Sequence, residues 1–199
     1  MLADVPTQAE RSEATRTRLL AVARRLFAAR GYAVTSVDEL VRRAGVTKGA
    51  LYHHFADKQA IFRAVFEETE RQLVVAAAAG ARGRDALARF RAGCLAFLEA
   101  SLDRGVQRIV LHDGPAVLGW EAWREIDWRY GLGLIEAGLK QAMADGGVTK
   151  RPTKALAHLL FGALCESALL IARAPKPRQA FAQVRRELDG LLAALLSRA

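Results

Sequence analysis

The chain has 199 residues, room for one domain or two small ones, and its 52% hydrophobic content excludes a wholly disordered protein. Its net charge of +9 is unevenly placed: residues 11–66 carry 11 basic and 4 acidic side chains, whereas the rest carries 19 and 17. A short basic unit is joined to a larger, nearly neutral one, and this asymmetry points to nucleic acid or another anionic surface as partner of the first part.

The first ten residues hold acids but no basic residue and no apolar core, so no signal peptide is expected. Helical periods dominate from there on, and no strand-like alternation of useful length occurs. The first helix is expected over 12–30, with Leu19, Leu20, Ala23, Leu26 and Phe27 on one face and Gly31 as its stop. Ser36 with Glu39 forms a capping-box pattern opening a short helix to about residue 44. Gly45-Val46 makes a tight turn, and Thr47 caps a third helix over 48–54. Asp57 caps a fourth, to about residue 79, carrying Ile61, Phe62, Val65 and Phe66.

Five more helices are expected beyond the Gly80 and Gly83 break: about 84–102, a short one over 106–112 ended by Gly114-Pro115, a long one over 119–144, then 153–173 and 178–196. The stretch 155–172 is nearly all apolar and about long enough to span a membrane. It contains His158 and Glu166 and lacks flanking aromatic belts, so it reads as a helix buried on two sides, and no membrane partner is expected.

Two short helices around a glycine-containing turn, in a basic region, read as a helix-turn-helix. Its second helix must enter a major groove roughly 12 Å wide, so its outer face cannot be bulky, and Lys48, Gly49 and Ala50 meet that need. Lys48 can donate to a guanine edge or a phosphate; Tyr52 and His53 carry donors that reach phosphates. Leu51 and Phe55 hold the helix from inside, and Lys58 adds a cation near a helix N-terminus that already favours phosphate. His53 and His54, adjacent on a helix, point about 100° apart and cannot easily share a metal ion.

The string Leu26-Phe27, Gly31-Tyr32, Thr35-Ser36-Val37, residues 44–55 and Lys58 resembles the DNA-binding region of the TetR family of bacterial transcriptional regulators, with family-like spacing over about residues 16–66. The resemblance implies an all-α homodimer in the cytoplasm, with no cofactor. Residues 1–57 would form a helix-turn-helix domain and 58–199 a helical ligand-binding and dimerisation domain, linked by the helix over 57–79. It implies that Lys48, Gly49, Ala50, Tyr52 and His53 face double-stranded, palindromic operator DNA, and that Thr35 or Ser36, with Thr47 and Lys58, contact phosphate. A small molecule bound by the second domain would release the DNA.

Within the second unit, Phe181, Val184, Leu188, Leu191 and Leu195 follow a 3-4-3-4 step, a seam suited to a partner helix. With Leu160 and Leu164 of the preceding apolar helix they are the expected dimer interface. Phe90, Cys94 and Phe97 share a stripe, and Trp120, Trp123 and Trp128 gather after the Gly-Pro break beside His112. An apolar pocket from Phe90, Cys94, Phe97, His112, Trp120, Trp123, Asp127, Phe161 and Cys165 would suit an apolar or aromatic ligand. Trp123 and Trp128 diverge by about 140° and cannot both point into one cavity. Cys94 and Cys165 are too few for a disulfide framework, and Cys165 with His158 lacks further ligands, so no metal is expected. Two other readings stay open here: a DNA binder without an effector, and an enzyme with a cysteine nucleophile.

Overall fold

The structure is a computed structural model describing residues 7–196. Residues 1–6 of the expected first unit, residues 197–199 of the second and the Leu195 side chain of the expected seam lie outside what is described. Every regular element among the described residues is helical.

α1 (Gln8–Arg30) begins four residues before the expected start, because Thr7 and Glu10 cap it reciprocally: the Glu10 N–H donates to Thr7 Oγ1 at 3.2 Å and the Thr7 N–H to Glu10 Oε2 at 2.6 Å. α2 (Val37–Ala44), α3 (Lys48–His54) and α4 (Lys58–Gly80) start where their caps predict, with Ser36, Thr47 and Asp57 each accepting from the N–H three residues on. Gly45 closes α2 at φ 64°, a left-handed turn that an L side chain rarely adopts. Leu19, Phe27, Leu40, Leu51, Phe62 and Phe66 form the core beneath these helices. This core does not stop near residue 57: it runs along α4 to Leu73 and takes in Ile109, Val110, Trp123 and Ile126.

α5 (Ala86–Ala100) packs along α4, and a helical stretch over 104–118 follows. That stretch comprises α6 (Arg104–Val106), a π-helical segment Gln107–Asp113, and α7 (Gly114–Leu118). The expected break at Gly114-Pro115 is therefore absent. Pro115 sits in the first turn of α7, where a missing N–H is tolerated, and the wider π turn before it relieves the clash of the ring with the preceding carbonyls. The chain breaks instead at Gly119, φ 80°.

α8 (Trp120–Ala144), α9 (Thr153–Arg173) and α10 (Pro177–Leu196) complete a second core with α5, around Phe90, Leu98, Leu139, Leu160 and Ile171. By length and composition α9 could cross a membrane, yet one side of it packs into this core through Leu156, Leu160, Phe161, Leu164, Ala168 and Ile171.

Candidate nucleic-acid interface and effector cavity

α3 presents Lys48, Gly49, Tyr52 and His53 to solvent, with Ala50 half-buried and Leu51 sealed inside. A Cβ at Gly49 would meet only Thr47 Oγ1, at 3.8 Å, so the fold does not require glycine there; the missing side chain clears the outward face. Lys48 Nζ lies 2.5 Å from Asp38 Oδ1, and that hydrogen bond raises its pKa. Both partners are exposed, so the pair contributes little to stability and exchanges readily for another anion. Ser36 and Thr47 are exposed as well as capping, each with lone-pair and donor capacity to spare.

Two of the expected DNA contacts are engaged elsewhere. Thr35 is fully buried and its hydroxyl donates to the Gly31 carbonyl at 2.8 Å. Lys58 Nζ donates to the Tyr32 and Thr35 carbonyls, both at 3.0 Å, and lies 4.0 Å from the Tyr32 ring centroid. Both residues fasten the turn between α1 and α2; a buried hydroxyl and a cation with two carbonyl partners have little left for phosphate. Tyr32 itself packs edge-on against Phe62 at 5.2 Å.

A cavity of about 220 Å³ opens between α4, α5, α8 and α9. Phe90, Cys94, Phe97, Asp127, Phe161 and Cys165 line it together. Gly131 and Gly138 of α8 give the rings room: a Cβ there would come within 2.5 Å of Phe161 and of Phe90, respectively. His112 and Trp120 are not on its wall; His112 is exposed, and Trp120 is 64% exposed. Trp123 is buried, donates from Nε1 to the Val110 carbonyl at 2.9 Å, and lines only a neighbouring space of about 20 Å³. The tryptophans gather around a cation instead. The Arg124 guanidinium lies 5.5–5.7 Å from the ring centroids of Trp120, Trp123 and Trp128, and 5.9 Å from that of Phe161.

Arg124 Nη1 reaches Asp127 Oδ2 at 3.2 Å, and the Cys165 thiol donates to the same oxygen at 3.6 Å. Burial raises the Asp127 carboxyl, with Arg124 opposing. Glu70 of α4 also lines the cavity, unforeseen from the sequence. It is 3% exposed, and among the described residues its Oε1 has no hydrogen-bond partner. Burial, then the neighbouring Asp127 charge, pushes its carboxyl up to about 8. The available signal was a carboxylate on the apolar stripe of α4, between Phe66 and Leu73. Burial also pushes both thiols up, Cys94 to about 12.

The expected dimer residues divide. Leu160, Leu164 and Leu188 are buried in the chain's own core, and Phe181 and Val184 are half-buried against it. Only Leu191 is exposed, and Leu195 lies outside the described side chains. The seam of α10 closes inward with Leu192, tied to α5 by the Arg91–Asp189 pair at 2.5–2.6 Å. The apolar side chains left outside on α9 are offset from those expected: Leu159, 72% exposed, and Leu170, 57% exposed.

The chain matches the family described as "Bacterial regulatory proteins, tetR family" over residues 19–65 and that described as "Tetracyclin repressor-like, C-terminal domain" over residues 87–195. It is similar to the transposon Tn10 TetC protein of Escherichia coli, 28% identical over 158 residues covering 78% of this chain and 79% of that one. A 78-residue match to the HTH-type transcriptional repressor Rv1474c of Mycobacterium tuberculosis is 45% identical, over 38% of this chain and 42% of the relative. The crystal structure of a TetR-family transcriptional regulator from Pectobacterium atrosepticum superposes with a TM-score of 0.85 at 37% identity, covering 97% of this chain and 99% of that one.

Proposed function

The chain belongs to the TetR family of bacterial transcriptional regulators, and we propose that it is a homodimeric cytoplasmic repressor that holds a palindromic operator until a small apolar or aromatic ligand releases it. Regulators of this family are not enzymes, and two thiols kept protonated by burial are poor nucleophiles. The DNA-facing set is Lys48, Gly49, Ala50, Tyr52 and His53, with Ser36 and Thr47 as phosphate contacts that double as caps. Two half-sites require two recognition helices roughly 34–36 Å apart and hence a dimer, and the exposed apolar side chains Leu159 and Leu170 of α9 and Leu191 of α10 are its self-association face in this reading.

The observation that carries the reading is α4. This one helix fastens the turn before α2 through Lys58 and walls the cavity with Glu70, Leu73 and Ala77. A ligand that fits one arrangement of α4 better shifts the population toward it, and the spacing of the recognition helices follows.

The experiment is selection from random duplexes by the purified protein at two salt concentrations. Enrichment of a palindrome, with affinity falling steeply as salt rises, supports the dimeric repressor. Salt-sensitive binding without enrichment would instead mean an architectural DNA binder, and an enriched operator that no cavity ligand releases would remove the effector.

A further inference from the structure

The cavity wall is largely apolar; its carboxyls are those of Glu70 and Asp127, the latter bonded by the Cys165 thiol, and its other polar side chains are Arg89 and Gln141, Gln141 donating to Asp145. Asp127 is already served: Arg124 and Cys165 both bond its Oδ2. Glu70 is not, since its buried Oε1 has no partner among the described residues. A buried polar oxygen without a partner is expensive, so the matching ligand brings a donor to it. An anion would meet two carboxyls there, and a pure hydrocarbon would leave Glu70 as it stands. The remaining charged group on the wall, Arg89, is half exposed and paired with Asp145 at 3.6 Å, so it does not offset Glu70. The volume of about 220 Å³ is modest, given that roughly 150 Å³ accommodates benzene.

Resting on the reading of this cavity as the effector site, we propose that it takes a compact lipophilic amine, bound as the ammonium ion, with its N–H groups on Glu70 and its ring or short chain against Phe90, Phe97 and Phe161. The proton balance is simple. An ammonium ion enters, Glu70 releases its proton to solvent, and a charge-assisted N⁺–H···O⁻ bond forms. The neutral amine that takes the Glu70 proton arrives at the same bound species. The titratable groups that act with Glu70 are Asp127 from α8 and Cys165 from α9, with Arg124 hydrogen-bonding only Asp127 among them and Cys94 of α5 elsewhere on the wall.

Three probes of one shape test this by calorimetry on the full chain: 2-phenylethylammonium, 2-phenylethanol and phenylacetate. The ammonium is expected to bind about ten-fold tighter than the alcohol, as hydrogen bonds to charged groups exceed neutral ones, and phenylacetate is expected not to bind. The binding heat of the ammonium should vary between buffers of different ionisation enthalpy, because Glu70 releases a proton as it binds. Glu70→Gln should weaken the ammonium about ten-fold and leave the alcohol within about three-fold. An alcohol bound as tightly as the amine, preference for phenylacetate, no binding of any probe at millimolar concentration, or an unchanged ammonium affinity in Glu70→Gln overturns the inference. Should that variant fail to fold, the wild-type ranking and buffer dependence decide alone. An ammonium that binds with the expected ranking yet leaves the protein on its operator sinks the effector reading and leaves this site standing.

Discussion

Position on the recognition helix and availability to DNA are separate properties, and Tyr52 has both. It is 51% exposed, while Leu51 beside it is sealed. If its hydroxyl contacts phosphate, Tyr52→Phe removes one hydrogen bond that carries no base information. Affinity should fall about three- to ten-fold for the selected operator and for unrelated duplexes alike; altered sequence preference would count against the role. Glu70 makes a prediction in pH. Its native carboxyl holds the proton to about 8 against an ordinary value of 4.5. Between those values the native state binds more protons than the unfolded one, so stability falls as pH rises. Asp127, raised from 3.8, acts in the same sense over the lower part of that window. The carboxylates held low by partners, such as Glu68 and Asp189, pull the other way only as they protonate in acid. Melting temperature should therefore decline from about pH 5 to about pH 8, and Glu70→Gln should flatten the decline; an identical slope in the variant would refute the assignment of that proton.

Elements differ in how far they can be read from sequence. The starts of α2, α3 and α4 were legible because a cap is local: Ser36, Thr47 and Asp57 each bond an N–H three residues on, whatever the rest of the chain does. The faces of α9 were not. A helix apolar almost all round has no polar side to fix its rotation, so nothing in its pattern separated Leu160 and Leu164, which face the chain's own core, from Leu159 and Leu170, which do not. The α10 stripe had a clear period, but a 3-4 step is equally at home inside one chain. The tryptophan cluster misled similarly, because periodicity does not reveal that Trp120 and Trp123 pack together at 5.0 Å and that Arg124 reaches both and Trp128. The corrected register changes the interface test. Leu188→Asp buries a charge in the core and should cost about 2–5 kcal/mol or more of fold stability, seen as a lowered melting temperature. Leu159→Asp should leave helicity intact by circular dichroism, yield monomers by sedimentation, and abolish binding to the palindromic site. Dimers persisting in Leu159→Asp would place the interface elsewhere.

At the scale of the molecule, the turn between α1 and α2 is held by two elements. Lys58 grips it from α4, and the π-helical segment also holds it, the Tyr32 N–H donating to Asp113 Oδ2 at 2.7 Å and Arg108 Nη1 to the carbonyl of Ala29 in the last turn of α1 at 2.5 Å. Val110 and Leu111 of that segment line the small space that also touches Glu70 and Asp127. A π turn packs less regularly than an α-helix and is often found at functional sites. On the proposed reading, a ligand that draws on Glu70 would pull on both supports of this turn, and α2 and α3 would follow it. Asp113→Ala cuts one support. The Tyr32 N–H loses its acceptor, lowering stability by about 1–3 kcal/mol, while the cavity keeps its lining. Binding of 2-phenylethylammonium, measured by calorimetry, should stay within about two-fold, whereas the ratio of operator affinities without and with it should shrink about ten-fold, within the usual span of a coupling free energy. An unchanged ratio would route the signal along α4 alone. Linkage supplies an independent check, because the operator must weaken ammonium binding by the same factor as the ammonium weakens the operator. Both factors should fall together in Asp113→Ala; a fall in one alone would mean that the probe acts on the complex outside the cavity.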